Sequence, residues 1–90
     1  MNSKMFSIRD AKAELYNNPF HAPTIAAAIR TFEQSAKDPN NSLATNPEDF
    51  ALYYVADWNV ETGMVEPCEV ITQVAHASDI KKPAPVSISG

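Results

Sequence analysis

The run Phe50-Ala51-Leu52-Tyr53-Tyr54-Val55-Ala56-Asp57-Trp58 constrains this 90-residue chain more than any other segment. Aromatic and apolar side chains follow one another without a charged break until Asp57, a composition that suits a pleated, buried strand. Strict alternation places Phe50, Leu52, Tyr54, Ala56 and Trp58 on one face and Ala51, Tyr53 and Val55 on the other. The strand is therefore expected to be central or covered on both sides, with Asp57 where it reaches solvent. Asn59 to Gly63 supplies a turn whose glycine suits a left-handed backbone position, and Met64 and Val65 begin a return strand, giving a hairpin. Pro67 removes one ladder donor, so the return strand is expected to be an edge or to stop there. Val70 to Ala75 fits two patterns. Val70, Thr72 and Val74 alternate as in a strand, while Val70, Ile71, Val74 and Ala75 equally make one and a half turns of helix.

Upstream, Met5, Phe6 and Ile8 with Ser7 and Arg9 between them predict a strand to about Ala13. The prolines and paired asparagines of Asn17 to Pro23 predict a rigid connector. Ile25, Ile29, Phe32 and Ala36 recur at spacings of four, three and four, which predicts a helix from Thr24 to Lys37 with this stripe inward. Thr24 is the candidate N-cap and Asp38-Pro39 the stop. Asn40 to Pro47 reads as a polar loop. The expectation is a small single α+β domain over residues 1–80, ordered strand, helix, strand, strand, with one helix packed on a small antiparallel sheet. Residues 1–4 read as an N-terminal extension and 81–90 as a flexible tail.

Charge is segregated along the chain. Residues 1–37 hold five basic and three acidic side chains, whereas 38–80 hold eight carboxylates and no lysine or arginine. Two poles of opposite sign favour steering of charged partners and head-to-tail contacts, and the acidic pole repels DNA. A chain this short buries only about 60–65% of its unfolded surface, so self-association is an expected way to gain stability. Cys68 is the only cysteine, which excludes an internal disulfide framework and fits a reducing compartment. No segment approaches the roughly 20 apolar residues of a membrane span, and Met1 to Ser7 lacks a signal-peptide run. The chain reads as cytosolic, with no membrane partner.

Catalytic patterns are missing from the sequence. Gly63 and Gly90 are too few and too far apart for a phosphate loop or a nucleophile elbow. Asp57, Asn59, Glu61 and Gly63 begin like a calcium loop, but Thr62 stands at its glycine position and Cys68 at its bidentate position. His21, His76 and Cys68 lack the short spacings of a zinc site. Cys68 has no nearby cation in sequence to hold a thiolate, and Glu48-Asp49 reads as a solvated turn rather than an acid–base pair. No catalytic residue, cofactor or metal is expected. Arg9, Lys12, Arg30 and Lys37 are the candidate DNA-contacting residues, Arg30 and Lys37 sharing a helical face at a spacing of seven. Tyr53, Tyr54 and Trp58 resemble base-stacking platforms but have no cation beside them in sequence. Tyr53 and Trp58, with the carboxylates Asp57, Glu61 and Glu66, are instead the candidate protein-interaction residues.

Several phrases together carry a family resemblance: Ile8-Arg9-Asp10-Ala11-Lys12-Ala13, Pro19-Phe20, Pro23-Thr24, Arg30-Thr31-Phe32, Asn46-Pro47-Glu48-Asp49-Phe50, Leu52-Tyr53 and Thr62-Gly63. Over roughly residues 5–66 they resemble the small non-structural protein of gokushovirus-type microviruses, which are single-stranded DNA bacteriophages. The resemblance implies a non-enzymatic phage protein in the host cell cytoplasm. It would act at single-stranded viral DNA synthesis or packaging through protein contacts, with weak binding of single-stranded DNA; the self-association expected from chain size would make it a homodimer. The alternative is an acidic interaction module or DNA mimic that occupies a basic surface on a phage replication or capsid protein or on a host protein.

Overall fold

The computed structural model describes residues 2–80, and the tail expected at 81–90 lies outside them. The elements in chain order are strand β1 (Asn2–Asp10), strand β2 (Leu15–Tyr16), strand β3 (Phe20–Ala22), helix α1 (Ile25–Lys37), helix α2 (Ser42–Thr45), strand β4 (Phe50–Asn59) and strand β5 (Val65–His76). Short 3₁₀ turns occupy Pro47–Asp49 and Ala77–Asp79. This is the expected α+β class, with more sheet than anticipated.

Every strand pairing is antiparallel, in the order β2-β1-β4-β5, with β3 also lying against β1. β4 is central, as its composition suggested. β1 starts at Asn2 because β4 is long enough to pair with it there, Asn2 opposite Asn59, Ser3 opposite Trp58 and Lys4 opposite Asp57. Residues 2–4 are thus sheet rather than an extension. β1 ends at Asp10, not Ala13, because the Asp10 carboxylate accepts the backbone N–H groups of Lys12 and Ala13 and folds them into a turn. Glu14 completes that turn in the left-handed region at φ 58°. The proline-flanked connector also contains a strand: Phe20, His21 and Ala22 pair with Phe6, Met5 and Lys4. Prolines outside the three paired residues leave those ladder bonds intact.

α1 follows the sequence reading closely at its ends. The Thr24 hydroxyl accepts the N–H of Ala27, and the helix stops at Asp38. Its buried stripe is rotated from the expected one, to Ala28, Phe32 and Ala36, with Ile25 exposed and Ile29 half-buried. Ala28 has no bulk beyond Cβ, which lets the helix lie close to the sheet. The polar loop also forms α2, capped by Asn41, whose Leu43 enters the core.

Two irregularities decide which side chains share a face. Between Phe6 paired with Tyr54 and Met5 paired with Ala56, β4 holds the extra residue Val55. This bulge shifts the alternation, so Ala56 and Trp58 join Tyr53 on one face, while Asp57 joins Tyr54, Leu52 and Phe50 on the other. The expected five-residue stripe through Trp58 is therefore broken at Val55. β5 runs straight through Pro67, which is tolerated on an edge, and Val70 to Ala75 is strand. Against β4 the register jumps from Thr72 opposite Tyr54 to Pro67 opposite Ala56, so Cys68 to Ile71 bow out of the ladder.

One face of the sheet meets the helices. Phe6 and Leu52 of the sheet and Phe32 of α1 are the largest fully buried side chains, joined in the core by Ala22, Ala28, Ala36, Leu43, Phe50 and Ala77. Of the two alternatives read for β4, central or covered on both sides, the central position holds, and α1 covers one face of the sheet.

Candidate nucleic-acid interface

The pleat puts Ser3, Met5, Ser7 and Arg9 of β1 on the face away from α1, together with Tyr53, Ala56 and Trp58 of β4, Tyr16 of β2 and His21 of β3. None of these residues belongs to the core cluster. Ser7, Ala51 and Ala56 are buried on this side and form the floor of the face. The Ser7 hydroxyl donates to the Asn17 carbonyl at 2.7 Å, which ties the strand-linking loop to the sheet.

Two aromatic groups stand on this floor. Tyr16 and Tyr53 meet edge to face at 5.6 Å and 75°. The Arg9 guanidinium lies 5.7 Å from the Tyr16 ring centre, within cation–π reach. Tyr53 donates its hydroxyl to Gln73 Oε1 across the β4–β5 pair. Further along, His21 and Trp58 approach to 5.3 Å, and Trp58 remains 37% exposed. Sequence reasoning found no cation beside Tyr53. The fold supplies one through Tyr16, by setting β1 between β2 and β4, so that Arg9 and Tyr16 arrive from more than thirty-five residues away. No local pattern pointed to Tyr16 or His21; only the antiparallel register brings them here.

The four candidate DNA contacts divide between the two sides of the molecule. Arg9 lies on the open face and Lys12 is exposed in the adjoining β1–β2 turn. Arg30 and Lys37 are exposed on α1, which packs against the opposite face, and Lys37 shares a cleft with Glu33, His76 and Asp79. The candidate interaction residues also divide. Tyr53 and Trp58 are on the open face, Asp57 and Glu66 oppose each other on the helix side of the hairpin, and Glu61 is in the turn.

On the helix side, Tyr54 donates its hydroxyl to Asp57, the two brought together by the Val55 bulge. The Asp57 carboxylate holding that proton, with burial adding to it, pushes Tyr54 up to about 12. The Lys4 ammonium lies 5.4 Å from the same ring. Burial and then Asp57 raise the Cys68 thiol, with Lys4 opposing them, so the thiolate is disfavoured. His76 Nδ1 lies 2.8 Å from the Ser78 hydroxyl and accepts the Ser78 backbone N–H, an arrangement that caps the last 3₁₀ turn. Among the described residues no three His, Cys, Asp or Glu side chains converge as a metal site requires. No described helix is long and apolar enough to cross a membrane.

The fold and this surface define a small antiparallel-sheet domain with one main helix, leaving an aromatic face, cationic at one end, without a helix over it. The chain matches the model of the Phage ORF5 protein family over residues 3–80 and belongs to that family. It is a bacteriophage protein. No curated protein and no solved structure matches it.

Proposed function

We propose that this is a non-enzymatic, non-structural phage protein that binds single-stranded DNA on the open face of its sheet, in the host cytoplasm, at the stage of viral strand synthesis or packaging. The observation that carries this reading is Arg9 beside the Tyr16–Tyr53 ring pair on an uncovered sheet face. An aromatic ring offers any base a stacking partner, and an adjacent cation neutralises the phosphate that follows it. The resemblance to the gokushovirus-type protein supports the choice of a single-stranded DNA ligand. Arg9 and Lys12 supply the phosphate contacts, while Arg30 and Lys37 on the far side do not share in them. Protein contacts with phage replication or capsid proteins, or with a host protein, complete the role.

Labelled oligothymidylate at low salt tests the reading by fluorescence anisotropy. Two phosphate contacts give a slope of log affinity against log salt of about −1.4. Stacking on an aromatic is worth about 1–3 kcal/mol per base, so Tyr53→Ala should weaken binding from about fivefold to more than a hundredfold. Arg9→Glu should abolish it, and Arg30→Glu with Lys37→Glu should leave it nearly unchanged. Binding that survives Tyr53→Ala and Arg9→Glu but disappears with the helix double variant would move the site to α1 and end this proposal.

A further inference from the structure

A second surface lies at the other end of the molecule, on the protruding half of the β4–β5 hairpin. Val60, Met64, Val65, Val70 and Ile71 are all exposed there, Val70 at 74%. Val60 and Met64 flank the hairpin turn, and Val65, Val70 and Ile71 belong to the 12-residue β5, whose ladder is with β4 alone among the described residues. The Cys68 to Ile71 bow turns a stretch of its backbone away from β4. Edge strands are commonly protected by lysines. This one has none: Glu66 and Glu69 are its charged residues, both exposed, and no lysine or arginine occurs between Asp38 and Ile80.

We infer that the Val65–Ile71 edge is a docking site for an extended, lysine- or arginine-bearing apolar segment of a protein partner. Such a segment adds main-chain hydrogen bonds at the edge, covers Val65, Val70 and Ile71 with its apolar side chains, and sets its cations against Glu66 and Glu69. Charge selects this occupant over the others. Nucleic acid and anionic membrane are repelled by the carboxylates. A second copy pairing edge to edge and centred on this stretch would bring Glu66 of one chain opposite Glu69 of the other, where directly opposed like charges destabilise a strand pair. Pro67 interrupts the row of edge donors, which confines the added hydrogen bonds to the bowed stretch and the residues beyond it.

The test uses the full chain, isotope-labelled for NMR, and two blocked octapeptides of alternating lysine and valine or alternating glutamate and valine. The lysine peptide should shift amides of Val65 to Ile71 and their β4 neighbours and should weaken with added salt, and the glutamate peptide should not bind. Glu66→Lys combined with Glu69→Lys should lower affinity for the lysine peptide at least tenfold, and Val70→Ser, which removes apolar cover and leaves the charge unchanged, should lower it as well. Arg9→Glu, which removes the proposed DNA contact, should leave peptide binding intact, so the two surfaces fail independently. The inference is overturned if the glutamate peptide binds equally, if the double variant binds unchanged, if the shifts fall on the Tyr16–Tyr53 face, or if the same edge amides shift with protein concentration alone. That last result would assign the edge to a second copy.

Discussion

Leu52 and Tyr53 are neighbours on the central strand, yet their side chains enter opposite environments, and truncating each in turn measures the one-sided packing of this domain. Leu52 is 0% exposed and sits among Phe6, Phe32 and Phe50. Its truncation to alanine removes buried methyls and leaves a cavity, which costs about 2–5 kcal/mol. Tyr53→Ala loses an edge-to-face contact worth about 0.5–1.5 kcal/mol and one exposed hydrogen bond to Gln73. Over the 79 described residues the unfolding entropy is about 0.17 kcal/mol/K, from ~2.1 cal/mol/K per residue. A mid-range loss of ~3 kcal/mol for Leu52→Ala therefore lowers Tm by about 18 °C, against about 6 °C for a ~1 kcal/mol loss in Tyr53→Ala. The first is a large fraction of the roughly 4–12 kcal/mol available to a chain of this length. Thermal unfolding followed by far-ultraviolet circular dichroism, at low and at high micromolar protein, reads both. Equal losses for the two variants at low concentration would refute the assignment of Tyr53 to an uncovered face. A Tyr53→Ala loss that grows with protein concentration would show that a second copy covers that face, the self-association expected from chain size.

Two further outcomes follow from single sites. Tyr54 should ionise near pH 12, read as the difference in phenolate absorbance between the wild type and Tyr54→Phe, and Asp57→Asn should bring that ionisation down; because the folded value is raised above the ordinary tyrosine value near 10, the stabilisation is complete below pH 10 and lost as pH rises through about 12. An ionisation of Tyr54 unchanged by Asp57→Asn would remove the carboxylate as its cause. Gly63 holds φ +75° with nothing within 4 Å of an added Cβ, so Gly63→Ala should cost only the backbone penalty of about 1–2 kcal/mol, and Gly63→Asn less, in urea unfolding. A cost above that range would mean that the hairpin tip packs against something.

What the linear sequence determined is what local chemistry controls. Thr24 and Asp38-Pro39 bound the helix because capping and proline geometry act within a few residues. Asn59 to Gly63 forms the hairpin turn because the Asn59 carboxamide oxygen accepts the Glu61 and Thr62 N–H groups and Gly63 adopts the left-handed backbone. The nature of β4 as a central strand was also legible in its composition. The register was not. The bulge at Val55 is a property of two strands together, and periodicity in one strand cannot show where its partner skips a residue. Once the bulge moved Trp58 and Asp57 to opposite faces, the stripe read from β4 alone ceased to describe either. The extent of β5 beyond Pro67 depended on its being an edge, and the strand at Phe20–Ala22 on β1 being there to receive it. The candidate site shows the same division. Tyr53 and Arg9 were each visible as single residues, whereas the pairing of Tyr16 with Tyr53 and of Arg9 with Tyr16 exists only because β2, β1 and β4 lie side by side. Helix caps and turns are decided by neighbours in sequence; which aromatic meets which cation is decided by antiparallel register, set by the packing of the whole sheet against its helices.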